Sequence, residues 1–209
     1  MITTQENKSA HFLQSSWSFE KNDSTTIRTR FSVDNIERNS DVSDWHSENI
    51  QLDLDIQHRY DIHSLDFGIN LRASQSDFIP VAGFPLEMNE ESVEVDYSGI
   101  YFSGTFSFPD ANVTSKLGAR LDHNTLTGYE FQPSARFIWN ASDRNRFWVA
   151  FSEAASIPSA AINNAKWAYL DFIDGAAIDS PYPLAVVVTQ KHELTNTRVN
   201  AKEFGFRHL

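Results

Sequence analysis

The strongest pattern in the chain is an alternation of period two. Ile50, Leu52, Leu54 and Ile56 fall on one face, and Gln51, Asp53, Asp55 and Gln57 on the other. A helix would scatter these apolar residues around its axis, so the segment predicts a strand. Leu65, Phe67, Ile69, Leu71 and Ala73 repeat the pattern against Ser64, Asp66, Gly68, Asn70 and Arg72. Only a short turn at 60–63 separates the two, so they predict a hairpin of long strands. Other segments alternate less cleanly, among them Leu117, Ala119 and Leu121, then Phe147, Val149 and Phe151, then Phe204 and Phe206. In residues 93–106 the phase slips near Ser98 and Gly99, which predicts a bulge.

About nine strands are predicted, at 11–20, 24–34, 47–60, 63–76, 91–106, 115–122, 128–140, 144–154 and 199–209. Several reach ten residues or more, against about 5–6 in a typical soluble sheet. A membrane-crossing strand needs about 9–11. Residues 154–166 contain the one helix-compatible stretch. Short connections (20–24, 61–62, 108–114, 141–145) alternate with longer ones (35–46, 75–90, 156–199), and only 123–127 breaks the rule. Tight turns at one end and long loops at the other are the habit of an outer-membrane barrel.

Alternation alone leaves a soluble β-sandwich ligand-binding module as the alternative, because its apolar face meets a second sheet instead of lipid. The two readings disagree about Leu52, Leu54, Ile56, Phe67, Ile69 and Leu71, which a sandwich would bury. Aromatics near predicted strand ends (Trp17, Phe19, Tyr60, Phe106, Trp139, Phe147) suit the interfacial girdles of a membrane barrel.

Composition narrows the classes further. Of 209 residues, 17 are basic and 28 acidic, giving a net charge of −11, with no cysteine. The acidic balance argues against a nucleic-acid partner. The missing cysteine excludes disulfides and thiolate metal sites. No run approaches the ~18 apolar residues of a membrane helix. No secretory leader is expected from the opening residues, which have neither a basic nor an apolar run. The sequence holds no G-x-S-x-G, no H-E-x-x-H and no phosphate-binding glycine loop, so an enzyme is not expected. No metal or cofactor is expected either. Asp34, Glu37, Asp41, Asp44 and Glu48 read as a solvated acidic loop before a calcium site. His58 and His63 flank a tight turn without a third ligand.

Residues 115–158 resemble the TonB-dependent outer-membrane receptor family. Residues 116–124, KLGARLDHN, resemble that family's LGARLEHN strand, and 129–136, YEFQPSAR, its EFQPSARL strand. Residues 147–154, FWVAFSEA, with Ile157-Pro158-Ser159 following, resemble LWAAVSRAVRTPS. Residues 200–207, NAKEFGFR, are similar to AYELGYR, and 53–60, DLDIQHRY, to DIDFQHRF. The motifs keep the family's order along nearly the whole chain. Two departures stand out. Residues 97–105, YSGIYFSGT, lack the acidic pair that ends the family's YSAFVQDE, and Glu153 takes the place of an arginine.

The resemblance implies an all-β fold: an antiparallel up-and-down transmembrane β-barrel, of which residues 1–209 are one partial domain with about nine strands of twenty-two. It implies that a plug domain and the final strands lie outside this chain, which alone would transport nothing. It implies the outer membrane of a Gram-negative bacterium and energy-coupled uptake of a scarce nutrient such as a ferric siderophore or cobalamin. The implied partners are membrane lipid, a small-molecule or metal-chelate substrate, and the TonB complex through the missing plug region. Outer-loop ligand candidates are Trp45, Trp167, Tyr169, Phe172 and Tyr182. Arg28, Arg30, Asp53, Asp55, Arg59, Asp66, Arg72, Arg120 and Arg136 are expected to line the lumen and to pair with one another across neighbouring strands or with the plug.

Overall fold

Nine strands follow one another in space in the order of the chain, each antiparallel to the last. The computed structural model describes residues 6–40, 43–80, 86–173, 184–189 and 194–208. The main sheet consists of β1 (Glu6–Asn22), β2 (Thr25–Ser40), β3 (Ser43–Tyr60), β4 (His63–Pro80), β6 (Ser92–Phe108), β7 (Val113–Asn124), β8 (Gly128–Asn140), β9 (Asn145–Ser156) and β12 (Thr197–His208). Its edges, β1 and β12, do not pair with each other, so the sheet is open. A second sheet, in the order β11 (Leu184–Thr189), β10 (Ala165–Ile173), β5 (Leu86–Met88), gathers the long excursions at one end. A one-turn helix α1 (Ala160–Asn164) joins them.

The register shows why the strands are so regular. Thr29, Leu54, Ile69, Ile100, Leu121 and Phe131 form one lateral row, each opposite the next. Ile27, Ile56, Phe67, Phe102 and Ala119 form the row below it. None of Leu52, Leu54, Ile56, Phe67, Ile69 and Leu71 is buried, and Leu52, Phe67 and Leu71 are exposed. This excludes the sandwich, in which a facing sheet would cover them. On β8 the same face runs from Tyr129 to Trp139. Ten steps at about 3.3 Å, tilted by about 40°, give a height near 25 Å, the apolar band of an outer-membrane barrel. At the lower rim Trp139 stacks on Phe147 at 5.7 Å, and Phe147 lies 4.8 Å from Phe206.

Several expectations are corrected. Residues 35–46 are not a long loop. β2 and β3 stay paired up to Arg38 opposite Trp45, and β1 continues beside them to Glu6 opposite Ser40. Polar residues on both faces of these extensions hide the strand from a hydrophobic pattern, yet their backbones pair as well as any. With 125–127 also short, the long excursions reduce to two, after β4 and after β9. The bulge expected at Ser98–Gly99 is absent: both residues pair in register, with Leu71 and Asn70 on one side and His123 and Asp122 on the other. The register shift in this sheet falls at Glu20/Asn22 instead. Of the helix-compatible stretch 154–166, only Ala160–Asn164 is helical, because β9 runs on to Ser156.

Tight turns close the other end. Asn22 caps the first, its Oδ1 accepting from the Ser24 N–H at 3.1 Å and hydroxyl at 2.9 Å. Asp61, in the turn between β3 and β4, takes a positive φ of 52°, which an aspartate tolerates. At the loop end a small apolar cluster of Phe78, Val93 and Val95 is buried, packed by Trp45, Met88, Tyr97, Leu126 and Ala160. Asn164, also buried, ties α1 to the connection between β5 and β6. Its Oδ1 accepts from the Glu90 N–H at 2.9 Å, and its Nδ2 donates to the Glu90 carbonyl at 2.5 Å.

Candidate functional site

The face opposite the apolar band carries the charge. Strand parity places Arg28, Arg30, Asp53, Asp55, Arg59, Asp66, Arg72, Arg120 and Arg136 together on it, Arg28 opposite Asp55 and Arg30 opposite Asp53. The centre of this face is an open cleft of about 470 Å³ between Arg30, Arg72, Arg120, Tyr97, Tyr101 and the aspartates.

The polar groups of the cleft hold one another. Asp53 accepts from Asn70 and from Gln51 Nε2 at 3.0 Å, with Arg30 Nη1 3.9 Å away. Asp122 Oδ2 accepts from Arg120 Nε at 2.7 Å and from Gln132 Nε2 at 2.6 Å. Tyr101 donates to Asp55 at 2.5 Å, reaching from β6 across β4 to β3. Gly68 allows that reach, since a Cβ there would sit 2.1 Å from Tyr101 Cε1. Gly99 likewise leaves room for Asp122, whose Oδ1 would lie 2.2 Å from an added Cβ. The Arg72 guanidinium lies 3.8 Å from the centre of the Tyr97 ring, a cation–π geometry. Its Nε is buried without a hydrogen-bond partner among the described residues.

Pairing is therefore partial. Arg136 reaches Glu203 at 3.5 Å, but among the described residues no ion pair involves Arg28, Arg59 or Asp66. The sequence reading missed Tyr97, Tyr101 and Asp122. Tyr97 and Tyr101 share strand parity with Gly99, but the phase slip at Ser98–Gly99 obscured it.

The outer candidates separate. Trp45 pairs with Phe78 and packs into the apolar cluster, with its Nε1 buried and unpartnered among the described residues. Trp167, Tyr169 and Phe172 sit on β10, opposite Thr189, Val187 and Ala185 of β11. Tyr182 lies outside the described residues. Asp34 lies on the charged face and accepts from Asn49 Nδ2 at 2.7 Å, while Glu48 takes hydrogen bonds from Asn35 and His46; Asp41 is outside the described residues. His58 and His63 serve different neighbours, the Thr25 hydroxyl and the Ser107 N–H.

Above the cleft β8 and β9 part. Their ladder stops at Ser134 opposite Ser152, beside Pro133, which has no N–H to donate. Side chains close the gap. Gln132 Oε1 accepts from the Ala155 N–H at 3.2 Å. Glu130, buried, accepts from Asn196 Nδ2 at 2.8 Å and Arg198 Nε at 2.9 Å. This clamp fixes the end of the longest excursion over β9.

An antiparallel meander, apolar on one face over a membrane's thickness and charged on the other, defines a wall of an outer-membrane-type barrel. The chain belongs to the TonB-dependent receptor family: the sequence model described as "TonB dependent receptor-like, beta-barrel" matches residues 3–209. Among solved structures, the fold is similar to the siderophore receptor PirA of Pseudomonas aeruginosa, with TM-score 0.72 and 14% identity, over 98% of this chain and 37% of that one. PirA of Acinetobacter baumannii gives TM-score 0.69 and 14% identity over 99% and 33%. A mutant of the ferric enterobactin receptor PfeA of P. aeruginosa gives TM-score 0.75 and 10% identity over 98% and 33%. The chain thus spans about a third of the length of these receptors. No curated protein sequence matches it.

Proposed function

We propose that this chain is part of the barrel wall of an outer-membrane receptor of a Gram-negative bacterium. The receptor imports a scarce nutrient, such as a ferric siderophore or cobalamin, by energy-coupled, TonB-dependent uptake. The observation that carries this reading is the two-faced sheet. A band about 25 Å high meets lipid, and the opposite face, with its clefts and arginines, lines the lumen. Family membership supports the same reading, since the family consists of transporters.

In this reading the tight turns face the periplasm and the β5–β10–β11 sheet faces outward. Trp167, Tyr169, Phe172 and Tyr182 are the proposed outer contacts for ligand, and Trp45 anchors the excursions that carry them. Arg30, Arg72 and Arg120 give the lumen wall cationic groups suited to an anionic chelate, each steadied by a carboxylate or an aromatic ring. Energy coupling requires contact with the TonB complex, which the reading assigns to a plug region outside this chain.

The test is uptake by the complete receptor in a host lacking its own siderophore and cobalamin receptors. Accumulation of radiolabelled iron chelate or cobalamin that a protonophore abolishes is expected. Accumulation that survives the protonophore would refute energy coupling, and none with either ligand class would refute the substrate assignment.

A further inference from the structure

The apolar band is interrupted on its last two strands. On β9, Phe147, Val149 and Phe151 share the apolar face, and the next residue on that face is Glu153. On β12, Phe206 and Phe204 are followed on the same face by Lys202 and Asn200. Phe151 lies directly opposite Lys202, and Glu153 directly opposite Asn200, so the register puts both charges on the side of the apolar band.

The aromatic rim fixes their depth. Phe147 and Phe206 face each other there, with Trp139 stacked on Phe147. Lys202 lies four residues above Phe206, and Glu153 six above Phe147. These steps are about 10 and 15 Å of depth at a tilt near 40°. In a band about 25 Å high the two positions bracket the midplane, where a charge against hydrocarbon is most costly.

The two charges do not relieve each other. Lys202 and Glu153 sit on a diagonal between neighbouring strands, within reach of long side chains. Yet among the described residues neither side chain makes an ion pair or a hydrogen bond. Lys202 is exposed and Glu153 half-buried.

We infer that this patch joins a second copy of the receptor within the membrane, about a two-fold axis that sets Lys202 of each copy against Glu153 of the other. A cation and a carboxylate side by side form a self-complementary patch, as an isologous contact requires. Apolar contact gives little drive for association in lipid, and polar groups paired across the contact supply it. The exposed Phe204 and Val149 beneath the charges pack alongside. The inference rests on the reading of the apolar band as the lipid face.

The test measures association of the complete receptor in detergent micelles by sedimentation. Wild type should dimerise. Lys202→Glu and Glu153→Lys should each weaken dimerisation about tenfold or more, because each sets like charges against one another twice. Mixing the two single variants should restore it, since every contact across the axis is again between opposite charges. A monomeric wild type, equal association by a single variant, or no recovery on mixing would overturn the inference. Rescue only when both substitutions are in one chain, with no change of mass, would assign the pairing to a single copy and overturn it too. Should the charge reversals misfold, Lys202→Gln and Glu153→Gln serve instead, each weakening dimerisation; equal dimerisation by both would overturn it. Labelling Gln51→Cys and Leu52→Cys with a water-soluble maleimide in lipid vesicles tests the underlying reading separately. Preferential reaction of Leu52→Cys would sink the lipid-face assignment whatever the oligomeric state.

Discussion

Ile69 lies at the centre of the apolar band, and its replacement by arginine tests the membrane reading most directly. It sits between Leu54 and Ile100, in a row that continues through Leu121 to Phe131. Gln75, on the same face of the same strand, is six residues further on, opposite Glu48 and Glu94. Six steps are about 20 Å along the strand, or about 15 Å of depth at a tilt near 40°. A cation at the bilayer midplane of a barrel costs about 2–4 kcal/mol, and one at the interface about 0–1. Ile69→Arg should therefore shift the folding equilibrium about thirtyfold to several-hundredfold, while Gln75→Arg should do little. The assay is urea unfolding of the chain inserted in phospholipid vesicles, followed by its tryptophans. Equal effects at the two positions would refute the depth argument. So would an Ile69→Arg cost that persists unchanged in short-chain detergent, because then packing and not lipid sets the penalty.

Four further outcomes follow from named contacts. Gly68→Leu should drive the Tyr101 ring off Asp55 and cost about 1–3 kcal/mol, read as a lower urea midpoint; Tyr101→Phe should reproduce about 1 kcal/mol of it. Glu130→Ala frees Asn196 and Arg198, so limited proteolysis should cut near 194–198 faster, with about 1 kcal/mol lost because Arg198 remains exposed. Asn164→Ala removes two hydrogen bonds to Glu90 and should loosen the loop-end sheet by about 1–3 kcal/mol, seen as faster amide exchange at residues 89–90. Beyond the band, hydrogen bonds from Ser92 and then Gln75, with the charge of His46, hold the Asp77 carboxyl below its ordinary range. A depressed carboxylate stabilises the fold above its unfolded pKa and loses that contribution as pH falls through the folded value. The stability gap between wild type and Ser92→Ala should thus be present at neutral pH and close by about pH 2; a gap that is the same at both would refute it.

The period-two pattern revealed the nine strands, their order and their two faces, because within the band apolar and polar residues alternate without exception on β3 and β4. It failed where both faces meet water. Asn35, Glu37 and Asn39 alternate with Ile36 and Arg38 and carry little amphipathic signal, yet each has a cross-strand partner on β1. Only the pairing partner reveals such a strand. The arginines and aspartates of the charged face were legible from parity. The Tyr101 contact with Asp55 was not, because it spans 46 residues and depends on the missing side chain at Gly68. The Glu130 clamp was equally out of reach: its partners lie beyond the longest excursion, and nothing local marks it.

The mean hydropathy of −0.40 belongs to a water-soluble protein, and the geometry explains why it does not identify one. In the proposed membrane setting lipid touches one residue in two, and only over the ten or so steps of the band. On β3 that is Ile50, Leu52, Leu54 and Ile56, four of its 18 residues, with His58 and Tyr60 at the rim. The rest of the strand either faces the charged side or extends past the band, where Glu48, His46 and Asp44 occupy the same face. Averaging over a whole strand adds the lipid face to the polar face and to the extension, and the sum is polar. The acidity of the chain therefore says little about its surroundings at mid-membrane. It records how much of the protein stands in water, on the charged face and beyond the apolar band.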